Sequence, residues 1–207
     1  EGVFTKYAAE GYAPECWIWN SVKGEHYTHQ EENVTTALRD SCNYFFYSVG
    51  HDLGIDKMGD YAHAYGLGVS TCIELVETVG NMSNEANHAD YTGTVWRIGD
   101  TMQAAIGQSD SIFSPLQLAQ YCATVANSGH RYSTSILKTV RNYDYSRKIY
   151  EREPEVLNTI RSAEYNWVAI HEGRYMVLND WINEPNAEVW TACPWICAGK
   201  TGTAQKG

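Results

Sequence analysis

Ala198-Gly199-Lys200-Thr201-Gly202-Thr203-Ala204-Gln205 sets a cation, hydroxyls and a glycine directly after the apolar run Trp195 to Ala198. A fixed positive charge beside hydroxyl donors suits a carboxylate or a developing oxyanion. Gly202 carries no side chain, so a bound peptide could lie close to the backbone and pair with it as an added strand. If Ile196 to Thr203 is a strand, Lys200 and Gly202 share one face and Thr201 and Thr203 the other. A twist or bulge at the glycine would then bring Thr201 or Thr203 round to the cleft, where the N–H near Thr203 could form half of an oxyanion hole. Two plainer readings compete. One is a surface turn; the other is a phosphate-binding loop, which needs glycine where Pro194 stands and a helix after the motif.

A second chemical element lies far upstream. Ser41-Cys42-Asn43 follows Val34 to Asp40, which reads as a short helix with Asn33 as N-cap, and precedes the aromatic block Tyr44 to Tyr47. A Ser and an Asn two positions apart at a helix junction can project into one cleft. The competing role for Ser41 is to cap the second helix.

Elements that could hold these groups follow from periodicity and caps. Residues 1–32 read as irregular, with turn signals at Gly11, Pro14 and Gly24. Helices are expected at 34–39, at 42–53 and from Asp56 to Tyr65, where Met58, Tyr61, Ala62 and Tyr65 recur at helical spacing. Residues 68–98 read as loop with a short strand at Cys72 to Val76. Ser114 followed by Pro115 opens a helix whose apolar face is Pro115, Leu118, Ala119, Cys122, Ala123 and Ala126. Strands are expected at Ser135 to Arg141 and Arg147 to Tyr150, a helix from Ser162 to about Leu178, and a final strand at the Lys-Thr-Gly segment.

Composition narrows the partners. The 207 residues include 15 Lys and Arg against 25 Asp and Glu, a formal charge of −10, and no basic run, which argues against nucleic acid. An apolar fraction of 43% is enough for one sizeable core, and nothing marks a second domain. No window reaches the length needed to span a bilayer. The seven histidines, His26, His29, His51, His63, His88, His130 and His171, show no metal or triad spacing, and His88 and His130 read as loop residues. The six cysteines, Cys16, Cys42, Cys72, Cys122, Cys193 and Cys197, favour no disulfide pairing by their spacing. Cys122 reads as a buried apolar residue.

In order and spacing, the chain resembles class B penicillin-binding proteins. Ser41-Cys42-Asn43 and Lys200-Thr201-Gly202 resemble the second and third signature motifs of those transpeptidases. Ser41-Cys42-Asn43-Tyr44-Phe45-Phe46-Tyr47, Leu53-Gly54-Ile55-Asp56, Tyr65-Gly66-Leu67-Gly68, Ala105-Ile106-Gly107-Gln108 and Ser114-Pro115-Leu116-Gln117-Leu118-Ala119 resemble successive segments between them.

The resemblance implies an α+β fold, with helices packed on an antiparallel sheet, and a single transpeptidase domain over 1–207 that is incomplete at both ends. It implies a D,D-transpeptidase that cross-links peptidoglycan stem peptides ending in D-Ala-D-Ala through a serine acyl-enzyme and is acylated by β-lactam antibiotics. Ser41 would relay a proton to the leaving group, Asn43 would hold the substrate amide, and Lys200 would set the field. Thr201, Gly202 and Thr203 would bind the substrate carboxylate and line the oxyanion site. The nucleophile motif Ser-x-x-Lys has no match in residues 1–40 and is expected just upstream of Glu1; Ser135-Ile136-Leu137-Lys138 reads as a chance match.

The resemblance also implies a parent anchored by one N-terminal helix on the extracytoplasmic face of the cell membrane, working with cell-wall synthesis partners. Neither a cofactor nor a metal is expected. Some elongation-type members bind zinc near this position, and Cys16, His26 and Cys42 could approach one another, though their spacing is not that of a compact zinc motif. A serine β-lactamase or D,D-carboxypeptidase of the same fold, and a non-catalytic penicillin- or peptide-binding sensor or scaffold, remain alternatives.

Overall fold

The computed structural model describes residues 2–180, 190 and 192–202. The first residues run as an irregular segment, tied back on itself by Phe4 N–H to the Pro14 carbonyl and Cys16 N–H to the Gly2 carbonyl. Helix α1 (Val34–Arg39) starts where the Asn33 side chain accepts the N–H groups of Thr35 and Thr36, while the Asn33 N–H donates to the Thr36 hydroxyl. This reciprocal cap satisfies N–H groups that a helix start leaves without partners. Helices α2 (Asn43–Leu53) and α3 (Ile55–Ala64) follow with a break at Gly54, whose φ of 80° is a left-handed value open to glycine.

Four further α-helices lie among the described residues: α4 (Glu85–Thr92), α5 (Ile98–Ala105), α6 (Pro115–Ala126) and α7 (Glu164–Asn179). Helix α1 packs on α7, and α2 on α5. The first crossing depends on Gly173, where a Cβ would lie 2.8 Å from the Thr35 carbonyl oxygen; Thr35 Oγ1 also donates to the Ala169 carbonyl at 3.1 Å. Among the described residues the strands form two antiparallel pairs, β1 (His130–Tyr132) with β4 (Val156–Thr159) and β2 (Thr139–Arg141) with β3 (Lys148–Glu151). Their registers set His130 opposite Thr159 and Val140 opposite Tyr150.

Among the described residues the core falls into three small clusters. Phe4, Tyr47 and Met102 join the first segment to α2 and α5, while Cys16, Ala37 and Cys42 join it to the α1–α2 junction. Ile55, Met82 and Ala104 tie α3 to α5. The first two clusters lie directly behind Ser41 and Asn43, so packing fixes the backbone that presents them. Among the described residues, no helix is long and apolar enough to cross a membrane.

Several expectations are corrected. No strand forms at Cys72 to Val76, and 68–98 contains α4, capped by Asn84 and Asn87 in the same reciprocal way as α1. The stretch 135–138 is coil leading into β2. Helix α6 has the expected start, with Ser114 as N-cap and Pro115 in the first turn, but the opposite face is buried. Gln117, Gln120, Thr124 and Val125 point inward, whereas Leu118 and Cys122 are exposed. The reason is polar: the carbonyls of Val69 and Tyr132 need donors, and Gln117 and Gln120 supply them at 2.7 and 2.8 Å. A glutamine amide taken out of water must find such partners, and these bonds hold Gln117 and Gln120 inward.

The Lys-Thr-Gly segment is extended coil rather than a strand over its described residues. A strand is defined by a ladder, and here the end of α7 takes the backbone groups instead. Gly199 N–H donates to the Arg174 carbonyl, and Asn179 Nδ2 donates to the Cys197 carbonyl at 3.0 Å.

Candidate active site

The turn between α1 and α2 aims the Ser-Cys-Asn side chains in two directions. Ser41 has φ 55°, an uncommon left-handed value for a residue with a side chain, and Cys42 N–H closes the turn on the Ala37 carbonyl at 3.0 Å. Cys42 is thereby driven into the core at 4% exposure, while Ser41 and Asn43 face a cleft. Backbone strain held at such a turn by surrounding packing is a recurrent feature of functional sites. Ser41 does not cap α2: Cys42 occupies the N-cap position and offers no side-chain cap.

Lys200 arrives from the other end of the chain. Its ammonium donates to Ser41 Oγ and to Thr201 Oγ1, the latter at 3.1 Å, and Ser41 Oγ lies 3.5 Å from Thr201 Oγ1. Two hydroxyls and one cation thus meet at one point. This corrects the strand alternation, which put Lys200 and Thr201 on opposite faces: without a ladder the backbone is free to turn both toward Ser41. Enough protein surrounds the ammonium for desolvation to lower its pKa from the ordinary 10.5.

The cleft has a volume of about 1050 Å³ and is lined by Ser41, Asn43, Lys200, Thr201 and Gly202. Asn43, Tyr47 and Gln103 form its floor; burial pushes the Tyr47 phenol up to about 12, opposed by hydrogen bonding to Gln103 and Asn43. Gly107 and Gln108, at the end of α5, lie on the same wall. Thr203 lies outside the described residues. Among the described residues Ser41 is the only serine lining the cleft, and Ser135 spends its hydroxyl on Glu74 and the Leu137 carbonyl.

A wall the sequence did not single out comes from Tyr12 to Trp17. Its signal was alternation: Glu15 and Trp17 flank Cys16, so an extended backbone sends the two outward and the cysteine inward. Behind it, Cys16, His29 and Cys42 bring Sγ, ring nitrogen and Sγ within 4.8 Å of one another. The imidazole is that of His29 rather than His26, which stacks on Trp19. Cys16 Sγ is 3.5 Å from His29 Nδ1. The neighbouring Cys42 thiol holds the Cys16 pKa well down, and Cys42 is correspondingly raised.

The remaining sequence candidates have structural roles. His88 sits in α4, not in a loop; it is buried, paired through Nδ1 with Asp110, and its Nε2 is 3.0 Å from Thr94 Oγ1. Cys193 and Cys197 are free thiols with sulfurs 3.5 Å apart.

With this geometry in place, comparison with known proteins is decisive. The model of the penicillin-binding protein transpeptidase domain matches residues 4–207. The chain belongs to that family. Within class B, it is 30% identical over 182 residues to the peptidoglycan D,D-transpeptidase MrdA of Escherichia coli strain K12, covering 86% of this chain and 28% of that relative. It is 29% identical to penicillin-binding protein H of Bacillus subtilis, covering 93% and 28%. The chain therefore spans under a third of the length of these curated relatives. Pseudomonas aeruginosa PBP2, solved with WCK 5153, superposes with a TM-score of 0.72 at 24% identity, covering 94% of this chain and 41% of that one. Helicobacter pylori PBP2 in complex with MreC gives 0.70 at 24% identity, covering 94% and 33%. These neighbours establish the α+β penicillin-binding fold.

Proposed function

We propose that this penicillin-binding domain carries the Ser41-Asn43 and Lys200-Thr201-Gly202 walls of a serine D,D-transpeptidase that cross-links peptidoglycan stem peptides. The convergence of Lys200 Nζ and Thr201 Oγ1 on Ser41 Oγ, from opposite ends of the chain, carries the reading. A serine from a Ser-x-x-Lys segment attacks the D-Ala-D-Ala carbonyl and gives its proton to the lysine of that segment; its oxygen bonds to carbon as the carbon–nitrogen bond breaks. The departing D-alanine nitrogen takes a proton through Ser41, whose hydroxyl accepts from Lys200 and has its own hydrogen to give. Asn43 holds the substrate amide, and Lys200 and Thr201 bind its terminal carboxylate, with Thr203 as a further donor. Gly202 is exposed with open space at its Cβ position, so a peptide backbone can approach it.

β-Lactams enter the same cleft and acylate the same serine. The full-length protein is anchored on the extracytoplasmic face of the membrane and works with cell-wall synthesis partners, as its structural neighbour from Helicobacter pylori was solved with MreC. The full-length protein is expected to retain a fluorescent penicillin in a denaturing gel, and to transfer an acyl donor to an amine as well as to water. Hydrolysis alone would place it with carboxypeptidases or β-lactamases; reversible binding without labelling would make it a sensor.

Zinc, which some family members hold near here, fits the donors present. Cys16, Cys42 and His29 would hold it, since sulfur and imidazole ligands suit zinc. The Glu32 carboxyl, in a small cavity with His29 and Cys42, has both oxygens buried without a hydrogen-bond partner, and that burial raises its pKa. Bound there, zinc would supply a cross-link between the first segment and the α1–α2 turn. Metal analysis of protein purified without chelators is expected to find about one zinc per chain, with chelation lowering the melting temperature. A metal-free protein of unchanged melting temperature would remove zinc.

A further inference from the structure

Resting on the transpeptidase reading, one wall of the cleft carries a feature that reading does not use. Among the described residues lining the cleft, only two side chains carry a formal charge at neutral pH: Lys200 and Glu15. The isolated bridge Val3–Glu15 and the Cys16 N–H bond to the Gly2 carbonyl hold this stretch extended. Alternation then buries Cys16 at 2% exposure and turns Glu15 and Trp17 onto the cleft, where Trp17 is 50% exposed.

Both side chains are held in place. Trp17 Nε1 donates to the carbonyl of Asp40, the residue before Ser41, at 3.2 Å, and its ring lies 5.5 Å from that of His29. Asn20 Nδ2 donates to Glu15 Oε2, and Oε1 has no protein partner among the described residues. An anchored carboxylate beside an anchored indole is a site for a cation, because ion pairing and attraction to the aromatic face act together.

Cross-linking supplies a matching ligand. The acyl-enzyme is opened by a primary amine, which in solution is an alkylammonium with a pKa of about 10.4. Lys200 repels such a group, so an amine must approach from a part of the cleft with the opposite charge. We propose that Glu15 and Trp17 form a subsite for the side-chain alkylammonium of a stem peptide, which sets how often the acyl group passes to an amine rather than to water. Where the bound group is the acceptor, it gives one proton to the Glu15 carboxylate, its nitrogen bonds to the acyl carbon as the bond to the serine oxygen breaks, and its second proton goes to that oxygen. The same chemistry could be presented by the acceptor peptide or by the donor's own side chain.

The test uses the full-length protein with an amine-free thioester donor. In the acceptor arm, the ratio of transfer to hydrolysis is measured with an amine-bearing peptide. In the donor arm, acylation by a donor with a free side-chain amine is divided by acylation by its N-acetyl form. Glu15→Gln is expected to lower one of these ratios about tenfold, roughly the loss of one charge-assisted contact; the arm that falls identifies the source. Each ratio contains its own neutral reference, so general damage to the protein cancels. As a measurement needing no variant, raising the salt concentration should lower the same ratio in the wild-type protein. Both ratios within twofold of wild type in Glu15→Gln, or no salt dependence, would overturn the subsite. Failure of the wild-type protein to turn over the neutral donor would instead sink the transpeptidase reading.

Discussion

Lys200→Ala in the full-length protein is expected to slow acylation by benzylpenicillin by about a hundredfold or more, the usual loss when one preorganised donor leaves an oxyanion-type site. The ammonium donates to Ser41 Oγ, to Thr201 Oγ1 and to the Thr201 carbonyl. Its removal takes away the cation that orients the relay hydroxyl and attracts the carboxylate. The loss should fall on the acylation rate rather than on folding, because the residue is exposed and its methylene stem supports no core cluster. A melting temperature near wild type with severely slowed acylation is the expected pair of results.

The pH profile supplies a second readout. Lysine is charged below its pKa, and desolvation has moved that of Lys200 below 10.5. Acylation should therefore decline on the alkaline side earlier than an ordinary lysine would allow. In Lys200→Arg the guanidinium stays charged throughout, so that decline should disappear even though the fork geometry restores only part of the rate. Acylation in Lys200→Ala within threefold of wild type would remove Lys200 from the mechanism.

What the sequence made legible follows from how local each signal is. Helix α1 carries its own cap at Asn33, α2, α3 and α7 are marked by local sequence pattern alone, and all four form within a residue or two of their expected limits. Helix α4 was hidden because its Asn84-to-Asn87 cap lies in a Gly-, Asn- and Ser-rich stretch that reads as loop. The buried face of α6 could not be read from hydrophobicity: it is chosen by carbonyls of Val69 and Tyr132 in distant segments, which summon glutamines inward.

The site divides in the same way. Ser41, Asn43 and Lys200 were recognisable as motifs, and the fold brings all three to one cleft. Choosing His29 over His26 needed the ring stacking of His26 on Trp19, a contact that spacing does not encode. The strand expected at Lys200 fails for a related reason, since a ladder belongs to its partner as much as to itself. Glu15 and Trp17 were visible only as alternation around a cysteine, and that pattern has no meaning until Cys16 is known to be buried.

Gly50→Val is expected to destabilise the protein by about 3 kcal/mol, at the upper end of overpacking costs in a close-packed core. Gly50 lies on the face of α2 that meets α5, and a Cβ there would stand 2.3 Å from Ala105 Cβ and 3.4 Å from Met58 Cε. Neither helix can withdraw freely: α2 begins with Asn43, and the segment leaving α5 supplies Ile106, Gly107 and Gln108 to the cleft. Separating the helices would therefore shift both walls, so acylation should fall along with the melting temperature. Gly59→Ala gives the opposing case. It lies inside α3 with nothing within 4 Å of its Cβ position, and should stabilise by about 0.5–1 kcal/mol through the unfolded chain. Urea or thermal unfolding of both variants checks the pair. If valine at position 50 costs no more than alanine at position 59 gains, the α2–α5 contact is not what holds Asn43 against the cleft.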